Sequence, residues 1–305
     1  MKKVLITGIA GGQGRLLARR LSERFEVCGV DRARWEGHPR GVRPYWVDLR
    51  KKKFAGVIRT EKPACVVHMG FIQDFRIDER ERHDVNVMGT KQLLDHCIHN
   101  GVESLVVLSS GYVYGASPEN PYYMDEDSPL SASRSYPEIR DRVEIDTLVT
   151  AFLWRYPQIR TCVLRPVNVL GYYAHSMISR YLRERRVPTV MGFDPIMQFI
   201  HEEDLSAAIE RAVEHRLQGV FNVTGPGEVP LRTAIREAGG DAWSIPESIL
   251  RPLLRRLFRM GLSAYPSGAI DFLKYPITLS GERFADATGF QPLFGLKETL
   301  QSVRS

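Results

Sequence analysis

The chain has 305 residues, 43% of them hydrophobic, enough for a large core in one α/β domain or one domain with a smaller appendage. Its net charge of +6 favours anions such as phosphates, and without zinc-finger spacing or an aromatic-basic RNA motif it gives no footing for nucleic-acid binding. No apolar run could span a bilayer, the opening MKKVLITG is too short for a signal peptide, and four widely spaced cysteines read as reduced thiols of a cytoplasmic protein.

KVLITG is a β-branched strand ended by glycine, and GRLLARRLSER behind it has helical periodicity. Between them, TGIAGGQG sets Gly8, Gly11 and Gly14 at the spacing of a phosphate-binding turn, with Gly12 and Gln13 in the same loop. Glycine there permits the tight bend and a close approach of pyrophosphate, and the helix N-terminus offers free N–H groups. Asp31 ends the second strand, FEVCGVD, where a carboxylate accepts both ribose hydroxyls of NAD and repels a 2′-phosphate. Arg32 and Arg34 follow at once and keep NADP open as the alternative. Asp48 and Leu49 close the third strand, RPYWVDL, and Asp48 either reaches the adenine or caps a helix.

ACVVHMG brings Met69 and Gly70 to the end of a fourth strand, and a helix is expected from Asp84 to His99. His96 and His99 lie in that helix without further ligands nearby in sequence, so no metal site is expected. SLVVLSS is a fifth strand, followed by a turn-rich segment long enough to be functional. A helix is expected from about Tyr136 to Trp154, then the strand and loop of IRTCVLRPVNVLG. Alternation of this kind predicts an α/β fold, a doubly wound parallel sheet of Rossmann type over residues 1–170, with a smaller α/β substrate lobe, 171–305, interleaved with it. Near the end, Leu250, Leu253, Leu254, Leu257 and Phe258 form one stripe, with Arg251, Arg255, Arg256 and Arg259 elsewhere. Packing on the protein is the expected use of that helix, with a lid over an apolar substrate or membrane-surface contact as alternatives.

In order and spacing these segments resemble the extended short-chain dehydrogenase/reductases of the NAD-dependent epimerase/dehydratase type, over nearly the whole chain. TGIAGGQG is similar to the TGxxGxxG loop, VVHMGF to VxHLAA, NVMGTKQLL to NVxGTxxLL, SSGYVYG to SSxxVYG, RPVNVLG to RPxNVYG and FIHEEDLSAAI to FVHVDDVAxAI. Within that class the chain resembles an atypical bacterial UDP-glucose 4-epimerase-like subgroup, some of whose members lack the full catalytic set.

The resemblance implies that Ser110 and Tyr136 stand beside the nicotinamide, Tyr136 moving the proton of a substrate hydroxyl. The family lysine falls on Arg140, with Glu144 where glutamate is common. A phenol titrates near 10 and needs a neighbouring cation to act as a base near neutrality. Arginine supplies charge but relays no proton, so altered proton transfer is expected. Gly111 and Tyr112 occupy the positions of the acidic pair used by dehydratases, and Met197 that of an arginine that grips a diphosphate in sugar-nucleotide epimerases. Asn168 either touches substrate or satisfies loop backbone; His201 and Asp204 are expected to be structural. The implied function is NAD-dependent chemistry on a hydroxyl or keto carbon of a small molecule, by a sugar epimerase or a ketone reductase. The alternative is a catalytically degenerate NAD(P)-binding protein with a regulatory or partner-binding role. A homodimer is implied through a four-helix bundle of segments 84–99 and 136–154.

Overall fold

A computed structural model describes residues 2–304, the side chain of Ser135 excepted. The chain opens with β1 (Lys3–Thr7), α1 (Gly12–Leu21), β2 (Glu26–Asp31), β3 (Val42–Trp46), α2 (Lys52–Glu61) and β4 (Cys65–His68). Then come α3 (Glu79–His83), α4 (Gly89–His99), β5 (Ser104–Leu108), α5 (Ala132–Ser135), α6 (Arg140–Arg155), β6 (Arg160–Pro166) and β7 (Asn168–Leu170). The remainder holds α7 (Met177–Arg183), β8 (Arg186–Val190), β9 (Ile196–His201), α8 (Glu202–Glu214), β10 (Gly219–Val223), β11 (Glu228–Pro230) and α9 (Leu231–Glu237). It ends with β12 (Asp241–Ile245), α10 (Glu247–Arg259), α11 (Glu282–Thr288) and α12 (Leu296–Gln301).

Seven parallel strands run in the order β10-β6-β5-β4-β1-β2-β3. Their near-continuous apolar sequences are what a sheet covered on both faces requires. One apolar layer packs Leu17, Leu21, Leu205 and Ile209 on one face; a second packs Phe54, Leu93, Val149 and Phe152 on the other. Chain order reverses between β1 and β4, and the crevice beyond their carboxyl ends is where such sheets bind ligands.

The interleaving of the later residues takes a definite form. β10 is the edge strand of the large sheet, and α8 packs on its face beside α1, where Arg20 pairs with Glu210 and Arg24 with Glu214. A separate core, including Leu182, Phe199, Leu231, Ile235 and Leu300, joins α7, β9, α9 and α12.

Two helix boundaries differ from the sequence expectation. The first helix starts earlier: Asp78 caps α3 by accepting from the amides of Arg80 and Glu81, and a π-helical turn, Asp84–Met88, joins it to α4. The second starts later. Tyr136 has φ −134° and ψ 82°, a 3₁₀ turn covers Pro137–Ile139, and α6 begins only at Arg140. Pro137 is the cause, because the residue before proline is pushed out of helical geometry.

Candidate active site

A cleft of about 860 Å³ opens at the strand ends, lined at one end by the glycine turn and at the other by Ser110 and Tyr136. The turn is built by contacts that leave no room for side chains. Gly8 has φ +77°, and a Cβ on it would lie 2.7 Å from the Gly70 Cα. On Gly14 a Cβ would lie 2.1 Å from the Gly8 carbonyl oxygen, so the third glycine lets α1 pack against the turn. Gly12, outside the glycine triplet, faces the backbone of Tyr173, whose oxygen would be 2.3 Å from a Cβ.

Side chains around the turn are committed to holding it. Gln13 donates to the Glu202 carbonyl (3.1 Å) and to Ser206 Oγ (2.8 Å), tying the loop to α8. Thr7 Oγ accepts from the amides of Met69 (3.2 Å) and Gly70 (3.1 Å), locking β1 to β4. His68 lies below, between Thr7 Oγ (2.7 Å) and Thr90 Oγ (2.9 Å). Thr90 gives its hydroxyl proton to the Asn86 carbonyl, so its oxygen accepts from His68 Nε2–H, and Nδ1 accepts from Thr7. Burial drives this imidazole down to about 3, so it is neutral.

At the adenosine end, Asp31 accepts from the amides of Ala10 (2.9 Å) and Ala33 (2.8 Å), which aims its carboxylate along the cleft rim. Arg32 leans on Glu81 (3.2 Å) and Asp48 (3.8 Å), and the Arg34 guanidinium sits over the Trp46 ring at 4.4 Å. Asp48 accepts from Arg50 through its amide (2.9 Å) and guanidinium (2.7 Å); those bonds hold its carboxyl below the usual range. Asp48 and Leu49 both line the cleft.

At the other end, Ser110 caps the 3₁₀ turn Gly111–Tyr114, its Oγ accepting from the Tyr112 amide at 3.2 Å, which leaves the hydroxyl proton free to donate. The Tyr112 hydroxyl donates to Asn168 Oδ1 (2.6 Å), and Asn168 Nδ2 donates to the Gln198 carbonyl (2.9 Å). Asn168 thus lines the cleft with both ends of its amide engaged. Tyr136 is buried between the rings of Phe75 (5.7 Å) and Phe272 (5.5 Å), its hydroxyl 3.9 Å from Met177 Sδ. Burial, with Glu138 and Tyr112 nearby, raises its phenol well above the ordinary value; Arg82 and Arg142 pull the other way.

Several residues singled out from sequence fall outside the cleft lining, Arg34 and Glu144 among them. Arg140 is exposed on α6. Arg142, two residues on, does line the cleft, as do Arg32 and Arg180; its guanidinium lies 5.9 Å from the Phe71 ring. A cation four residues after tyrosine faces it only when both lie on one helix; Tyr136 lies before α6, so Arg140 is not held against it. Pro137 is the signal that could have revealed this. Gly111 packs beneath the cleft, where a Cβ would meet Leu279 Cδ1 at 2.7 Å. Met197 is buried and lines a neighbouring chamber with Tyr112 and Met177. Tyr173 and Met177, not singled out from sequence, also line the cleft, as does Arg180, which the sequence offers as a candidate substitute for the missing diphosphate-gripping arginine. His201 and Asp204 act structurally: His201 caps α8, and Asp204 accepts from the amides of Leu293 and Phe294.

Among the described residues no three His, Cys, Asp or Glu side chains gather as a metal site, and no helix is long and apolar enough to cross a membrane. The glycine cradle, with an acidic rim at Asp31, fits a dinucleotide.

The chain is 33% identical to an uncharacterized protein of Mycobacterium tuberculosis over 251 residues, 78% of this chain and 66% of that protein's length. It is 26% identical to mouse (Mus musculus) 3 beta-hydroxysteroid dehydrogenase type 7 over 184 residues, 55% of this chain and 50% of that one. A UDP-glucose 4-epimerase of Thermus thermophilus, solved with NAD, superposes with a TM-score of 0.78 at 22% identity, covering 99% of this chain and 97% of that one. The dTDP-glucose 4,6-dehydratase of Bacillus anthracis, also with NAD, gives 0.78 at 16% identity, covering 100% and 96%. The model of the NAD dependent epimerase/dehydratase family matches residues 4–224. The chain belongs to the NAD-dependent epimerase/dehydratase family.

Proposed function

We propose that the protein is an NAD-dependent oxidoreductase of the extended short-chain dehydrogenase/reductase class, acting on a hydroxyl or keto carbon of a small molecule. The observation that carries this reading is the meeting of the glycine cradle, Asp31, Ser110, Tyr136 and Arg142 in one cleft. Gly8, Gly11 and Gly14 would take the pyrophosphate and Asp31 the ribose hydroxyls. Asp31 favours NAD over NADP, and the ion pairs of Arg32 with Glu81 and Asp48 support that preference.

Bound there, NAD would supply the hydride chemistry; the chain's part is to hold the substrate oxygen and manage its proton. Ser110 donates its free hydroxyl proton to that oxygen and polarises it. Tyr136, kept protonated by its buried setting, is a proton donor, which favours reduction of a ketone. Oxidation, or epimerisation through a transient ketone, requires the phenolate; Arg82 and Arg142 are the cations that favour it, and of the two Arg142 lines the cleft. The two-part organisation, the atypical subgroup and a homodimer belong to the same reading. Four buried free thiols suit a reducing compartment such as the cytoplasm.

The test combines calorimetry of NAD binding with turnover of a panel of ketones and alcohols. Tyr136→Phe should leave NAD affinity unchanged and lower kcat at least about 100-fold; unchanged turnover would remove Tyr136 from the chemistry. One observation favours the second reading, a cofactor-binding protein without turnover that serves a partner: the Tyr136 hydroxyl faces Met177 instead of open cleft. That reading requires NAD binding with no hydride exchange on any panel member.

A further inference from the structure

Beside the cleft lies a second chamber of about 270 Å³ that shares Tyr112, Met177 and Ile178 with it. Its depth begins next to the Tyr136 hydroxyl, which touches Met177. The other walls are apolar: Met197, Leu254, Ile270, Phe272 and Leu273, closed by Leu250 of α10. Two of the three tyrosine hydroxyls of this wall are engaged, Tyr181 donating to the Pro188 carbonyl (2.7 Å) and Tyr112 to Asn168 (2.6 Å); Tyr265 is the third tyrosine. Its charged residues, Glu184 and Arg186, are both exposed, so they sit at the rim, and they oppose each other in sign. Arg142 and Arg180 line the cleft and not the chamber.

The roof is fastened. Arg251 of α10 binds Glu247 (2.9 Å) and Asp271 (2.6 Å), and Lys274 reaches Glu247 at 3.0 Å. This ties the helix to the turn Ser267–Leu273 that supplies Ile270, Phe272 and Leu273. An apolar hollow of this kind rewards the removal of hydrocarbon from water and penalises an unpaired charge. Methionines at both Met177 and Met197 give a surface that adapts to irregular apolar shapes.

We propose that the substrate carries its reacting hydroxyl or keto group on a compact apolar body, alicyclic or branched, which fills this chamber while the reacting carbon stays at Ser110 and Tyr136. The proposal deepens the oxidoreductase reading and rests on it. It assigns Met177, Met197, Leu254 and Phe272 as the specificity-determining wall, and it disfavours a diphosphate in the chamber, whose arginine, Arg186, is exposed and accompanied by Glu184.

The experiment is calorimetry on NAD-saturated protein with 2-decalone as the apolar ketone and uridine diphosphate as the charged competitor. Decalone should bind with a negative heat-capacity change. Met197→Gln and, at the helix surface, Leu254→Gln should each weaken it about tenfold without altering NAD affinity. The second variant lies on a partly buried position and covers the case in which the first fails to fold. Tighter binding of uridine diphosphate than of decalone, decalone binding that ignores both variants, or no binding of either compound would overturn the proposal while leaving the cofactor reading intact. Failure of NAD itself to bind would sink the reading beneath it, and the proposal with it.

Discussion

His68 sits under the cofactor turn with both nitrogens occupied by threonine hydroxyls, and its charge state is therefore part of the site's architecture. Unfolding returns it to an ordinary imidazole near 6.5, whereas the native group titrates at about 3. The unfolded chain thus binds the extra proton first. The resulting stabilisation is complete above about pH 6.5 and is lost as the pH falls toward 3, about 4 kcal/mol across the window. Urea midpoints measured from pH 7 to pH 4 should fall more steeply for the wild type than for His68→Gln; equal slopes would mean that the imidazole is not neutral in the native state. Arg140 and Arg142 give the second contrast at this scale. Turnover should drop about tenfold or more in Arg142→Gln and recover largely in Arg142→Lys, while Arg140→Gln changes it less than about twofold. In Arg142→Gln the pH at which the oxidation rate rises should also move upward, a shift that loss of packing alone does not produce. Loss confined to Arg140→Gln would restore the spacing expected from sequence.

At the scale of elements, the parallel strands and the glycine turn were legible because their signals are local: β-branched runs of fixed length, and glycines where a Cβ would strike backbone. The start of α6 was not read correctly, although Pro137 stood in plain view, because motif spacing assumed an uninterrupted helix through Tyr136. Of the apolar chamber only the covering helix was within reach, through the stripe that includes Leu250 and Leu254; the rest of its wall draws on residues as far apart as Tyr112, Met197 and Leu273. A buried clamp was equally invisible. Arg165 of β6 grips both carboxylate oxygens of Asp146 on α6 (2.9 and 2.6 Å) and donates to the Tyr114 hydroxyl (2.9 Å) and the Glu126 carbonyl (3.0 Å). One guanidinium thus joins strand, helix and the long turn-rich segment behind Ser110. Asp146→Ala strands a charge in the interior and should cost about 3–5 kcal/mol in urea unfolding. The double variant Asp146→Leu with Arg165→Met removes both charges and should recover part of that loss. A cost below about 1 kcal/mol for Asp146→Ala would show the clamp to be dispensable.

For the whole molecule, the question is what covers the outer side of the helix pair formed by α3–α4 and α6. Glu144 bridges the pair, reaching His83 (3.2 Å) and Lys91 (3.9 Å), so the two helices present one continuous surface. Along α6, Arg140, Thr147, Ala151 and Trp154 are all exposed, at the three- and four-residue spacing of a single helical face. Thr147 and Ala151 are small enough for another helix to approach closely, and Trp154 is left 78% exposed at the end of the stripe. A large aromatic in that position is the type of residue that anchors interfaces, where its removal costs about 2 kcal/mol or more, roughly 30-fold in affinity. Two copies paired through this face would place four helices side by side, bury Trp154, and assign Arg140 to the subunit contact while Arg142 serves the cleft. Sedimentation at rising concentration should therefore show a dimer for the wild type and a dissociation constant at least about 30-fold higher for Trp154→Glu. NAD affinity should hold in the variant, because Trp154 does not line the cleft. A wild-type chain that sediments as a monomer at high concentration, or a Trp154→Glu variant that dimerises as well as its parent, would reject this face as the subunit contact.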